Sequence, residues 1–311
     1  MNNRRKFEGM GVAMVTPFCP DGSIDTKSLI RLVDHLVAGH ADFIVIHGTT
    51  GESPCLTREE RNMVTELVVE RVAGRLPIMI GLGGNNTVET GQRIKDLDTT
   101  GIEGILSVVP YYNKPTQEGL FRHFSYLAEC SSLPIVLYNI PGRAGINMVP
   151  ETVARLAHAH SNIVGIKEAS GFVAQVAQTK QLVKRDDFTI LSGDDALSVP
   201  FIQNGARGVI SVVGNAYPEL FTKLIHLSMA GQYNEADMIQ AELRDLNTQL
   251  FANGNPSGIK ALLYQMGIIA HNELRLPLIP ATQEVYEALA KARASVEIYI
   301  QASLNPCLHC E

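Results

Sequence analysis

Eight short runs of apolar, β-favouring residues punctuate the chain. They read VAMVTPF from Val12, FIVIHGTT from Phe43, PIMIGL from Pro77, GILSVVP from Gly104, PIVLYNIP from Pro134, IVGIKEAS from Ile163, FTILSGDD from Phe188 and GVISVVGN from Gly208. Most are continuously apolar rather than alternating, which is the pattern of parallel strands buried on both faces. Helical patterns fill the intervals. Asp25 can cap a helix whose apolar stripe is Leu29, Leu32, Val33, Leu36 and Val37. Thr57 and Glu60 have capping-box spacing ahead of Met63, Val64, Leu67, Val68 and Val72, and Gly74 stands where that helix should stop. Leu120, Phe121, Phe124, Leu127 and Ala128 form another stripe, and Pro150 and Pro218 each suit a first helical turn, where the missing N–H is no loss.

This alternation predicts an α/β chain of the closed (β/α)₈ TIM-barrel class over residues 1–231, with a doubly wound sheet as the alternative. After Gly231 the strand signal stops. Three helical stretches follow, about Asn234–Phe251, Ser257–Met266 and Thr282–Ala302, and define a C-terminal helical region at 232–302. The final residues, 303–311, read as a tail. The length agrees: a barrel of this kind needs ~250 residues, and the chain has 311.

Composition narrows the partners. The hydrophobic share of 45% suffices for a large core, and the formal net charge of −6 disfavours nucleic acid or an anionic membrane surface. The opening MNNRRKFEG has no apolar segment behind its basic residues, and no run approaches the ~20 apolar residues of a membrane span. Five cysteines are too few for a secreted disulfide framework of this size, so reduced thiols and a cytoplasmic location are expected. Cys307 and Cys310 resemble half a zinc site but have no second pair nearby, and no metal is expected.

In (β/α)₈ barrels the active site lies at the C-terminal ends of the strands. Those ends carry Gly48-Thr49-Thr50-Gly51-Glu52, Tyr111-Tyr112, Tyr138 through Arg143, Lys167-Glu168, Ser192-Gly193-Asp194-Asp195 and Ser211. Lys167 follows an apolar strand. Desolvation there should lower its pKa, and a partly neutral amine can attack a carbonyl to form an imine. A strand-end lysine that snorkels to solvent is the alternative. Imine chemistry needs a proton shuttle, and Tyr138, on the adjacent strand, could supply it through Thr49 towards Tyr112. A half-buried, merely structural tyrosine is the alternative for each. The guanidinium of Arg143 suits a carboxylate, and the glycine-flanked Thr49-Thr50 turn lets backbone N–H groups approach another.

GTTGE, PYYNKP, LYNIPGR, GIKEASG and LSGDDA, in this order and spacing, resemble the dihydrodipicolinate synthase family of pyruvate-dependent class I aldolases, typified also by N-acetylneuraminate lyase. The resemblance spans about residues 8–297. It implies a lyase in which Lys167 forms a covalent imine with pyruvate and no separate cofactor is needed. Tyr138, Thr49 and Tyr112 would relay protons, with Tyr112 reaching into the neighbouring subunit of a homotetramer built as a dimer of dimers. Thr50 would hold the pyruvate carboxylate, Arg143 would orient the second substrate, and Gly193 and Ile210 would line the pyruvate pocket. That second substrate would be L-aspartate 4-semialdehyde, on the route to diaminopimelate and lysine.

Ser53, Asn85, Glu89 and Tyr111 match an effector site that binds lysine in inhibited relatives of this family. Arg58 and Arg61 stand where such relatives often carry histidines, and two cations there would repel an ammonium group. Cys55, close to the site, reads as either a reactive thiol or a small packed residue. Asn255–Lys260 is a variant of a more apolar family segment. Two competing readings stay open here: an aldolase of the same family acting on a sugar-derived aldehyde, and a barrel that has lost its chemistry and serves as a binding protein.

Overall fold

The computed structural model describes residues 6–304. Eight parallel strands close into a barrel in chain order: β1 (Gly9–Ala13), β2 (Phe43–Ile46), β3 (Ile78–Gly81), β4 (Gly104–Val108), β5 (Ile135–Asn139), β6 (Ile163–Glu168), β7 (Thr189–Ser192) and β8 (Gly208–Ser211). The doubly wound alternative is thereby excluded. Helices α1 (Thr26–Ala38), α2 (Arg58–Val72), α3 (Thr87–Lys95), α4 (Gln117–Cys130), α5 (Pro141–Ala144), α6 (Pro150–Ala159), α7 (Val173–Leu182), α8 (Ser198–Gln203) and α9 (Pro218–Met229) return the chain between strands or follow the last. Asn215 secures the closing seam: its side chain accepts from Val15 N–H and donates to the Ala13 carbonyl.

The continuous apolar runs have a simple cause. Alternate residues face opposite ways along each strand, and here both ways are buried. Phe43, Val45, Leu106, Val136, Leu191 and Ile210 fill the barrel interior. Their neighbours Ile44, Ile46, Ile105, Ile166, Ile190 and Val209 pack outward against the helices. Each such side chain, fully buried, contributes about 1.5–3 kcal/mol.

The first strand departs from expectation. It covers Gly9–Ala13 rather than starting at Val12, and two glycines hid it, because glycine carries no strand preference. The structure shows why one is needed: a Cβ on Gly11 would stand 2.2 Å from the Phe43 ring. The caps follow the sequence. Asp25 accepts from Ser28 N–H at the start of α1, and Thr57 and Glu60 form a reciprocal capping box on α2. Met63, placed on the apolar stripe of α2, stands exposed instead; the buried stripe is Val64, Val68 and Val72.

After the barrel the first expected helical stretch proves to be two helices, α10 (Tyr233–Glu242) and α11 (Arg244–Ala252), broken at Leu243. Then come α12 (Ser257–Gln265) and α13 (Gln283–Leu304). Helix α10 packs on α9, while α11, α12 and α13 pack on one another. A buried ionic clasp joins this region to the barrel. Lys260 of α12 donates to the Glu52 carboxylate, and both side chains have no solvent exposure. Arg275 adds its backbone N–H to Glu52 and its guanidinium to Glu60 and to the carbonyls of Gly22 and Cys55. The ring of Phe18 lies under both cations, 4.1 Å from Lys260 Nζ and 4.5 Å from the Arg275 guanidinium carbon. Among the described residues no helix is long and apolar enough to cross a membrane, and no group of three or more His, Cys, Asp or Glu is placed to hold a metal ion. Cys307 and Cys310 lie outside the described residues.

Candidate active site

The barrel mouth gathers most of the residues singled out in the sequence. Tyr138 on β5 is in register with Lys167 on β6. Lys167 Nζ lies 4.5 Å from the centroid of the Tyr138 ring, and both side chains are buried. Burial pulls the Lys167 amine down to about 8; Asp195 opposes this and Arg143 reinforces it. Burial pushes the Tyr138 phenol up to about 12, a hydrogen bond with Thr49 and the charge of Arg143 offsetting part of the rise. At neutral pH the tyrosine therefore holds its proton, and Thr49 is its contact outward.

Two connected spaces open above Lys167. The inner one, about 60 Å³, touches Thr49, Thr50, Tyr138, Lys167, Gly193 and Asn255. A buried water requires ~10–15 Å³ of such space, so the inner pocket suits a ligand on the scale of a three-carbon acid. The outer cleft, about 360 Å³, shares Thr49, Tyr138, Arg143 and Asn255 and extends to Ser53 and Tyr111. Gly193 is small of necessity: a Cβ there would sit 2.7 Å from Ala169 Cβ and 3.1 Å from Lys167 Cε. Ile210 is buried in the barrel interior on β8. Arg143 is exposed at the rim and lines both spaces.

Three contributors escaped the sequence reading. Asp195 is buried, and its Oδ2 accepts from the backbone N–H groups of Val212 and Val213 at 2.8 and 2.9 Å. Burial pushes this carboxyl up to about 6 against those hydrogen bonds, which leaves it mostly ionised at pH 7 as the counter-charge to Lys167. Glu168 faces away from the mouth and accepts from Ser170 N–H, Asn139 and Gln175, fixing the strand end that presents Lys167. Asn255, from the segment between α11 and α12, reaches the inner pocket and donates to Thr50 Oγ1 at 2.9 Å. The sequence marked Asn255 only as the start of a segment and gave it no role.

Tyr112 is not brought into the chain's own mouth. It is 90% exposed, held at a φ of +67°, and touches neither space. The proposed effector residues gather only in part. Ser53 and Tyr111 line the outer cleft, Asn85 donates to the Tyr111 carbonyl at 2.8 Å, and Glu89 points to solvent on α3. The guanidinium of Arg61 is engaged by the carbonyls of Leu56 and Ser53, and Arg58 is exposed. Burial and the neighbouring Glu52 push the Cys55 thiol up, which disfavours the reactive thiolate.

Fold and mouth together define a (β/α)₈-barrel enzyme with a desolvated lysine at its catalytic end. Residues 6–295 match the model of the dihydrodipicolinate synthetase family, and the chain belongs to that family. It is 52% identical to a 4-hydroxy-tetrahydrodipicolinate synthase of Porphyromonas gingivalis, over 95% of this chain and 99% of that protein. Among solved structures, the dihydrodipicolinate synthase of Thermotoga maritima superposes with a TM-score of 0.91 at 41% identity, covering 94% of this chain and 99% of that one. A monomeric dihydrodipicolinate synthase variant superposes with a TM-score of 0.92 at 40% identity, covering 95% and 99%.

Proposed function

We propose that this chain is a lyase that condenses pyruvate with L-aspartate 4-semialdehyde, the activity of a 4-hydroxy-tetrahydrodipicolinate synthase in the route to diaminopimelate and lysine. The observation that carries the reading is the buried Lys167 amine beside Tyr138, at the floor of a pocket sized for a three-carbon acid. The amine attacks C2 of pyruvate to give a carbinolamine, and Tyr138 donates the proton with which its hydroxyl leaves as water. Loss of a C3 proton gives the enamine, whose C3 attacks the aldehyde carbon of the second substrate. The new alkoxide takes a proton through Tyr138 and Thr49. The amino group of the condensed chain then attacks the imine carbon, closes the ring and frees Lys167. Thr50 binds the pyruvate carboxylate, Gly193 and Ile210 line that pocket, and Arg143 meets the carboxylate of the second substrate at the rim. The covalent imine takes the place of a cofactor.

Tyr112 completes the proton relay from a neighbouring copy in this proposal, a reading supported by its exposure and by its not lining the chain's own pocket. The assembly is then a dimer of dimers in the cytoplasm. Ser53, Asn85, Glu89 and Tyr111 would form an effector site that Arg61 makes unfavourable for a cation.

The deciding experiment is the steady-state rate with pyruvate and L-aspartate 4-semialdehyde, coupled to a reductase that consumes the cyclic product. A turnover of ordinary size, ~1–10³ s⁻¹, is expected. Pyruvate trapping by borohydride without turnover would reject this second substrate and point to a sugar-derived aldehyde. A mixture of Tyr112→Phe and Lys167→Ala subunits in the same assay should regain activity, and a mixture as inactive as its parents would remove the crossing tyrosine.

A pH profile follows from the amine. The neutral form is the nucleophile, so its fraction grows as pH rises through about 8. Roughly a tenth is neutral at pH 7, against well under a thousandth for an ordinary lysine. Formation of the borohydride-trapped adduct should therefore accelerate up to about pH 8 and level off above it. A rate still climbing at pH 10 would show that burial does not depress Lys167.

A further inference from the structure

We infer that Asn255, a residue from outside the barrel, is a positioning residue that turns the Thr50 hydroxyl proton into the inner pocket, towards the carboxylate of the oxo-acid substrate. The inference rests on the proposed role of Thr50 as the group that binds that carboxylate. A hydroxyl has one proton to give and two lone pairs to accept with. Thr50 is buried at 2% exposure, and its Oγ1 accepts from Asn255 Nδ2 at 2.9 Å. With one lone pair occupied by a donor, the Thr50 proton is left for another acceptor, and both residues line the small space above Lys167.

The amide orientation has a physical reason. As placed, one of the two N–H groups is used by Thr50, and Asn255 Oδ1 is left without a partner. Reversed, the amide would leave both of its N–H groups without acceptors instead of one, and orphaned N–H groups are rarer than under-used carbonyl oxygens. The backbone of the same residue holds the second carboxylate-binding group. Arg143 Nη2 donates to the Asn255 carbonyl at 3.3 Å. One residue thus sets Thr50 with its side chain and steadies Arg143 with its backbone. Substitution of the side chain separates the two roles.

The test uses the full-length enzyme with pyruvate varied at saturating aldehyde. Asn255→Ala should raise KM for pyruvate about tenfold, the scale of one buried hydrogen bond, with kcat changed less than about threefold. Asn255→Asp, nearly isosteric, should raise it further. The aspartate accepts the Thr50 proton rather than directing it inward, and sets a negative charge beside the substrate carboxylate. In a Thr50→Val background, Asn255→Ala should add less than about twofold, because the group it orients is gone. Asn255→Asp with an unchanged KM would show that the amide accepts from Thr50, and overturns the inference. Asn255→Ala adding its full factor in the Thr50→Val background would show that it acts independently of Thr50, and overturns the inference as well. Thr50→Val alone leaving KM unchanged would instead strike the role of Thr50, and the inference with it. Should Asn255→Ala fail to fold, the aspartate variant carries the test by itself.

Discussion

Lys167→Ala abolishes both turnover and borohydride trapping of pyruvate in the expected result, with kcat lower by several orders of magnitude. Among the described residues no other buried lysine is free to take its place. Lys260, the other lysine buried near the site, is held by Glu52 and by the Glu273 carbonyl. Loss of a covalent nucleophile removes the whole reaction path, whereas loss of a proton shuttle such as Tyr138 slows individual steps by about 10²–10⁴. Lys167→Arg separates nucleophile from charge. It keeps a cation opposite Asp195 but offers no amine for an imine, so it should be equally inactive. The fold should survive Lys167→Ala, because the Asp195 carboxylate left behind keeps the Val212 and Val213 N–H groups; far-UV circular dichroism and the thermal midpoint check this. A trapped pyruvate adduct in Lys167→Ala would place the imine elsewhere.

Lys260→Met should produce the largest loss of stability of any single change in the clasp, about 3–5 kcal/mol, the range for stranding one member of a buried ion pair. Methionine keeps the length and the apolar stem, so the loss reports the charge rather than a cavity. What remains is a Glu52 carboxylate with no solvent exposure and only the Arg275 N–H to satisfy it. Glu52→Gln in the same chain should restore most of that stability, since it leaves no buried charge without a counter-charge. Denaturant or thermal unfolding of the two single variants and the double variant closes the cycle. If the double variant loses the sum of the single losses, the two charges are not coupled. Activity should follow stability, because Glu52 ends the turn that carries Thr49 and Thr50.

The barrel was legible because its strands are buried on both faces and so announce themselves as unbroken apolar runs, and because Asp25, Thr57 and Pro150 mark helix starts by local chemistry. Gly9 and Gly11 defeated that reading, since their value lies in the room they leave for Asp42 and Phe43 and not in strand preference. The break at Leu243 was equally hidden, as nothing in its neighbourhood interrupts the helical pattern. At the mouth, Lys167, Tyr138, Thr49 and Arg143 stood out because strand ends and reactive side chains coincide in the sequence, whereas Thr50 was singled out by the family resemblance. Asp195 was visible within its motif but had no role until Val212 and Val213 were seen to fold onto it. Asn255 and Lys260 were beyond reach: each acts on a residue about two hundred positions earlier, and no local pattern records such a contact.

The clasp also sets the terms on which this gene can recombine. A crossover between two relatives anywhere from Gly231 to Asn255 would join one parent's turn of Thr50 and Glu52 to the other parent's amide, lysine and arginine. Such a chimera inherits complete strands and a complete outer ring of helices, yet its Thr50 and Glu52 face partners selected in another lineage. The barrel is therefore no transferable cassette. Its set of contacts runs from the first strand through at least Arg275, so the turn that carries Thr50 and Glu52 is braced by a segment that no strand encodes.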